Sequence, residues 1–377
     1  MQFVDSDRDI SLYIHIPFCT TKCAYCAFYS LERSAVASGE MEAFKRTLSL
    51  QLDALVEELK RPFYTIFIGG GNPGMVGFEY LHELLKTATR YGRPVECTTE
   101  MNPEFLDEGI IPLFDILTRV SVGIQSMDSG FLGILGRNAD RETNIRALSL
   151  LSDCKKKYGI QFNADLMTCI PGQKIEDSLA DIEAVSAYSP DHISLYSLTF
   201  EEGTKLVEKC TPMDEEEQRR LLLSCWQRLD ELGYRQYEIS NFARDGHECL
   251  HNKVYWSLGQ YIGLGPTAES SVGYRNIVSS READSLSQYL ASPSFDSVEL
   301  TAEEAEEEYL LTTLRTVYGI DKREYEKRFD RRFDERYGAF ISDLDSELYV
   351  DDDAHFALTV QGFLLLDSVI LSLAMAI

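Results

Sequence analysis

From the start of the chain to about residue 200, short apolar runs alternate with longer stretches of helical period. The runs predict strands over 12–16, 65–68, 95–99, 119–124, 161–167 and 192–198. Helical spacing fills the gaps, over 39–60, 78–91, 142–158 and 175–188. Strands in strict alternation with helices predict a parallel sheet wound by right-handed crossovers. A doubly wound sheet and a barrel both satisfy that pattern. The strand ends favour the barrel. Several runs finish in polar or Gly/Pro-rich chemistry, at 17–19, 69–73, 100–103, 125–126 and 168–173. In α/β barrels the site gathers at those C-terminal ends. The expected fold class is α/β, an incomplete (β/α)6 barrel over residues 1–200.

Beyond residue 201 the alternation stops. A connecting region to 276 holds a charged amphipathic helix over 214–232, a Tyr-rich strand over 234–239 and a Gly-rich stretch over 259–265. It also holds the run His251-Asn-Lys-Val-Tyr255-Trp256. Residues 276–297 are rich in Ser and Asp and read as a linker. A small, mostly helical C-terminal domain is expected over 277–377, opening with a helix over 303–317 whose acidic first turn suits the helix dipole. A short strand over 348–350 follows. The apolar end, 363–377, reads as a buried terminal helix.

A net charge of −26 and a pI near 4.6 exclude nucleic acid as a general partner. No basic-flanked apolar leader opens the sequence. The apolar end is ~15 residues, against ~20 for a membrane span, so at most peripheral membrane contact is expected. Nine cysteines without a leader fit reduced thiols in a cytoplasm better than a secreted disulfide framework.

Three of those cysteines are clustered. Cys19-Thr-Thr-Lys-Cys23-Ala-Tyr-Cys26 has C-x3-C-x2-C spacing, directly after the first strand. Thiolates are the usual ligands of iron–sulfur clusters. Three of them on one tight loop hold three irons of a [4Fe–4S] cubane and leave the last iron open. An open iron can chelate the amino and carboxylate groups of S-adenosylmethionine (SAM). Zinc is the alternative, but a structural zinc wants paired ligands, and only His15 or His82 offers completion. Unrelated buried thiols are the other reading.

The run Leu12-Tyr-Ile-His-Ile-Pro-Phe-Cys19 through Cys26 resembles the radical SAM superfamily. Within it the chain is similar to the branch holding oxygen-independent coproporphyrinogen III dehydrogenases and HemW-type heme chaperones. The similarity runs through Gly69-Gly-Gly-Asn-Pro73, Glu100-Met-Asn-Pro103, Val122-Gly-Ile-Gln-Ser126, Asp165-Leu-Met, Tyr237-Glu-Ile-Ser240 and Leu358-Thr-Val-Gln-Gly362. Nearly the whole chain is covered. The resemblance implies a cluster on Cys19, Cys23 and Cys26. It implies that the loop of Gly70, Gly71 and Asn72 meets the methionine amino group of SAM. It also implies that Tyr13, Tyr25, Glu100, Gln125, Arg137 and Asp165 line the SAM site. Their chemistry suits this: Arg137 can pair with the SAM carboxylate, and Glu100 and Asp165 can accept from ribose hydroxyls or the ammonium. Departures from the family pattern are Asn72 for Thr, Ala27 for an acidic residue, Glu269 for His, and Thr168–Cys169 for Tyr–Gly.

Two features separate the branches. The dehydrogenases carry a further Cys where this chain has Phe28, and a long extension where only ten residues precede Ser11. Against these stands the H-N-x-x-Y-W signature of the HemW group, met by His251, Asn252, Tyr255 and Trp256. Imidazole can ligate heme iron, and Tyr and Trp can pack on a macrocycle; His247 and Cys249 lie nearby. The resemblance therefore implies a heme-binding protein that delivers heme to recipient hemoproteins and takes electrons from a donor. The alternative is a porphyrin-modifying radical SAM enzyme, such as an oxygen-independent coproporphyrinogen III oxidase. An unrelated radical SAM activity on a small metabolite is a third reading.

Overall fold

The computed structural model describes residues 4–374. Each of the six strands expected before residue 200 forms: β1 Ile10–Ile16, β2 Thr65–Gly70, β3 Glu96–Met101, β4 Arg119–Gln125, β5 Gln161–Thr168 and β6 His192–Ser197. They pair in parallel in that order. The crossovers carry helices α1 Glu40–Leu59, α2 Phe78–Ala88, α3 Arg141–Tyr158 and α4 Ile175–Ser186. In α1 the buried residues Phe44, Leu48, Leu52, Leu55 and Val56 recur at helical spacing, and left-handed Lys60 ends the helix. Asp140 caps α3 through the Thr143 amide at 2.8 Å, and three lysines occupy its last turn.

The strands alternate in a consistent sense. Ile66, Ile68, Cys97, Val120, Val122, Phe162, Ala164, Ile193 and Leu195 join the helices in one core. The intervening Phe67, Thr98, Glu100, Arg119, Ser121, Asn163, Asp165, His192, Ser194 and Tyr196 line a cavity on the concave face. The sheet thus turns a polar face inward rather than toward solvent, which period-2 patterning allows as readily.

The base of that interior is closed by the segment leading into and along α6 Leu250–Trp256, while α5 Glu215–Glu231 packs on α4 in the helix layer. Glu96, 5% exposed, holds α6: its carboxylate accepts from the amides of Leu250 (3.1 Å) and His251 (3.0 Å). Arg119 lies 3.4 Å from the same carboxylate and donates to the His247 carbonyl at 2.6 Å. His192 donates from Nδ1 to Asn163 Oδ1 (2.7 Å) and accepts at Nε2 from the Tyr237 hydroxyl (2.8 Å).

Three expectations need correction. The Gly-rich stretch contains a strand, β7 Gln260–Leu264, paired in parallel with β1. Residues 276–297 are no linker: β8 Glu269–Val272, β9 Val278–Glu282 and β10 Phe295–Glu299 extend the sheet beyond β7, with a helix at Leu286–Ala291 between the last two. Ser and Asp there occupy a solvated ladder held by backbone pairing. Of the expected strand over 234–239, only Arg235–Gln236 joins a ladder, because Tyr237 and Glu238 turn inward and are buried.

The remainder packs α7 Ala302–Thr313 and shorter helices around a small sheet of Ile320–Asp321, Tyr349–Asp351 and His355–Leu358. A terminal helix, Leu366–Ala374, buries Leu366, Val369, Ile370 and Leu373; residues 375–377 of the expected apolar helix lie outside the described residues. Among the described residues no helix is long and apolar enough to cross a membrane.

Replacing Glu96 with Ala strands a buried guanidinium and uncaps α6. We expect Glu96→Ala to cost about 3–5 kcal/mol in denaturant unfolding of the cluster-free protein; wild-type stability would contradict this account of the barrel base.

Candidate cluster and cofactor site

The cysteine loop leaves the end of β1 and is clamped from two sides. Ala24 donates its amide to the Leu135 carbonyl (2.9 Å), and its carbonyl accepts from the Leu206 amide (2.8 Å). Gly136, at φ +68°, lies close enough beneath for a Cβ to come within 3.1 Å of the Ala24 nitrogen. Ala24, Leu135, Met167, Ile170, Leu198 and Leu206 form a separate small core under the loop.

The glycine loop after β2 seats directly on the cysteines. Gly71 donates to the Ile16 carbonyl and Asn72 to the Phe18 carbonyl, both at 2.8 Å. A Cβ on Gly71 would meet the Phe18 carbonyl at 2.6 Å and Cys19 Sγ at 2.9 Å. Gly70, at φ +110°, faces the His15 ring at 2.6 Å in the same sense. These glycines are required by close approach and by backbone conformation.

Cys19, Cys23 and Cys26 are free thiols, each half-buried, and no disulfide occurs among the described residues. Burial pushes the Cys19 thiol up to about 11 and raises that of Cys26. Among the described residues no three His, Cys, Asp or Glu side chains converge as a preformed metal cage. Neutral thiols have no attraction to draw them together; a bound metal supplies it by displacing their protons. The zinc alternative gains nothing from the histidines. Both ring nitrogens of His15 are bonded, to the Tyr13 hydroxyl and the Tyr29 carbonyl, and His82 pairs with Asp115 at the surface.

Around the loop stand the other expected residues. Arg137 reaches back toward it, donating to the Gly123 carbonyl (2.8 Å), Asn102 Oδ1 (3.2 Å) and Cys23 Sγ (3.5 Å). Asn72 Oδ1 caps a turn at the Gly74 amide (3.2 Å). Glu100 accepts from the Gly70 amide (3.2 Å), and Asp165 accepts from Asn163 (2.7 Å) and Ser121 (3.3 Å). Burial raises Tyr13, Tyr25 and Asp165. Asn72 Nδ2, Gln125 Oε1 and Arg137 Nε are among the buried polar atoms that lack a hydrogen-bond partner in the described residues. Together with the loop that a Cβ would obstruct and the free thiols, they fit a cluster carrying a small polar ligand with amino and carboxylate groups.

Residues 13–185 match the radical SAM superfamily and residues 300–365 the HemN C-terminal domain. The heme chaperone HemW of Buchnera aphidicola (from Schizaphis graminum) is 31% identical over 85% of this chain and 86% of its own length. HemW of Escherichia coli K12 is 33% identical over 70% and 71%, and that of Bacillus subtilis 29% identical over 94% and 96%. This chain belongs to the HemW group of the radical SAM superfamily. The superfamily implies a [4Fe–4S] cluster and SAM. Its architecture is shared with the coproporphyrinogen III oxidase HemN of E. coli, with a TM-score of 0.81 over 99% of this chain and 92% of that one, at 18% identity.

The run His251-Asn-Lys-Val-Tyr255-Trp256 lies on α6, beneath the barrel. His251 is fully buried: its Nδ1 is 2.7 Å from Thr65 Oγ1, its Nε2 is 2.8 Å from the Tyr255 hydroxyl, and its ring stacks on Phe67. Burial lowers it to about 3. Both nitrogens are occupied, so in this arrangement the imidazole pins the helix and offers no nitrogen to an iron. Trp256 is half-buried, with the Arg315 guanidinium 5.9 Å above its ring. Cys249 is buried against Glu96, and His247 lies 3.7 Å from Asp191. Phe28, beside the cysteine loop, is 72% exposed. Glu269 is exposed on β8, and Cys169 is buried at the end of β5. Sequence reasoning missed Ser121, Asn163, His192 and Tyr196 as lining residues; their inward register was the available signal.

Burial, and then the Asp165 charge, raises Glu100 from 4.5 to about 8. The folded protein thus keeps a proton that the unfolded chain loses above about 4.5, and stability falls as pH rises from about 4.5 to about 8. Glu100→Gln carries no such cost. In the cluster-free protein we expect the variant's stability relative to wild type to improve steadily across that window; a difference independent of pH would contradict it.

Proposed function

We propose that Cys19, Cys23 and Cys26 hold the cluster, that SAM lies between the cysteine loop and the strand ends, and that the protein binds heme in the cytoplasm and passes it to hemoproteins. The carrying observation is likeness to HemW chaperones along most of both chains. A reduced cluster held by Cys19, Cys23 and Cys26 would supply the electron, and SAM the sulfonium that accepts it. This chain's residues orient and shield that chemistry. Gly70, Gly71 and Asn72 let the backbone approach the methionine end of SAM. Arg137 supplies charge beside its carboxylate. Glu100, Gln125 and Asp165 offer acceptors, with Tyr13 and Tyr25 walling the pocket.

For heme, we propose contact at the half-buried end of α6, with the macrocycle against Tyr255 and Trp256 and a propionate near Arg315. His251 serves there as the pin that fixes the helix. Modification of a porphyrin by the same site is the second reading. It draws on the radical SAM match alone, since the resemblance to HemN at 18% identity concerns the fold.

The test uses anaerobically reconstituted protein with reductant and SAM, with and without heme and coproporphyrinogen III. 5′-Deoxyadenosine and the porphyrin spectrum are followed together. We expect a heme Soret band, weakened roughly ten-fold in apparent affinity by Trp256→Ala, with coproporphyrinogen unchanged. Stoichiometric 5′-deoxyadenosine alongside a converted porphyrin would overturn the carrier reading.

A further inference from the structure

β4 ends irregularly. Its register with β5 slips between Gly123 and Gln125, and Gln125 adopts φ +66°. A bulge re-aims a strand residue, and a left-handed conformation at a non-glycine residue is strained unless its surroundings impose it. Here the strain has a consequence. Gln125 is 8% exposed, its Nε2 lies 3.0 Å from where a Gly123 Cβ would stand, and its Oε1 has no partner among the described residues. The bulge aims an unsatisfied amide at the strand ends where Arg137 and the cysteine loop meet.

What imposes the turn comes from the helix layer. Asp181 on α4, 5% exposed, accepts from the Ser126 hydroxyl and the Met127 amide, both at 2.7 Å. Asn144 on α3, fully buried, donates to the carbonyls of Ile124 (3.1 Å) and Ser126 (2.9 Å). Arg141 donates to the Met127 carbonyl at 3.0 Å. The Ser126 amide closes the turn on the Ile124 carbonyl at 2.8 Å, and the carbonyls of Ile124, Ser126 and Met127 and the Met127 amide are tied by side chains remote from the cysteines. A buried carboxylate is an expensive group to keep inside a helix packed on a sheet. Its two short bonds both go to this turn.

We infer that Asp181, with Asn144, is a positioning pair that holds Gln125 in its left-handed conformation and thereby sets the affinity for SAM. The inference rests on the SAM site proposed above. Asp181 itself touches neither the cysteines nor the residues expected to meet SAM, so its loss acts only through the turn. Asn can replace the carboxylate in both bonds, accepting from the Met127 amide and donating to Ser126 Oγ, whereas Ala can make neither.

The experiment compares wild type, Asp181→Asn, Asp181→Ala and Ser126→Ala as full-length reconstituted proteins. Iron content is measured first; then SAM is titrated against the electron paramagnetic resonance spectrum of the reduced cluster. We expect wild-type iron content throughout. SAM affinity should fall roughly ten-fold in Asp181→Ala and by less in Ser126→Ala, which removes one of the two Asp181 bonds along with the bond from the Asp128 amide, with Asp181→Asn close to wild type. Wild-type iron content in the variants separates positioning from bulk stability, and rescue by Asn ties the effect to the two bonds. Should Asp181→Ala not fold, Ser126→Ala against Asp181→Asn decides the matter. Equal SAM midpoints with intact clusters would overturn this inference alone. A wild type whose spectrum ignores SAM would overturn the proposed site together with it.

Discussion

A parallel sheet usually buries two apolar faces. This one buries an apolar face against helices and a polar face against itself, and the rest of the molecule follows from the need to satisfy that interior. At the base, much of the need is met by protein groups, although Arg119 Nε and Nη1 and Thr98 Oγ1 keep no hydrogen-bond partner among the described residues. Glu96 holds Arg119 and caps α6, His192 is fixed between Asn163 and Tyr237, and His251 joins Thr65 to Tyr255. At the strand ends it is met incompletely, and the unmatched amide and guanidinium atoms of Asn72, Gln125 and Arg137 surround the cysteine loop. Polar groups left without partners beside free thiols are where a polar cofactor gains the most.

The same constraint gives the residues of α6 a packing role. Its histidine is not poised for iron; it is neutral, bonded at both nitrogens and stacked on Phe67. The helix is a plug whose seat is the inward face of β2 and β3. At the plug's outer end Trp256 and Arg315 lie together.

Much of this was legible in the sequence. The six parallel strands fall within about two residues of their expected bounds, because β-branched runs and helix stops mark them independently of tertiary context. The glycines after β2 and the cysteine spacing were readable because each demands a particular backbone or ligand geometry. The polar interior was not. In Glu96-Cys-Thr-Thr-Glu100 or His192-Ile-Ser-Leu-Tyr196 the alternation reads equally as a strand with one face in water; only curvature of the sheet turns that face inward. The strands beyond β7 were hidden for the opposite reason. β10 is exposed along its whole length and is held by backbone pairing to β9, so Ser and Asp there carry no sign of a strand. The clamp on the cysteine loop was equally hidden, since the Leu206 contact joins segments far apart in sequence.

The most direct test of the central claim is Mössbauer spectroscopy of protein reconstituted with enriched iron, recorded before and after SAM is added. Three protein thiolates leave one iron of a cubane without a protein ligand. The account predicts a single iron site that is distinct from the others and shifts when SAM binds. A mononuclear site, or a cluster whose irons stay equivalent and unmoved by SAM, would contradict it.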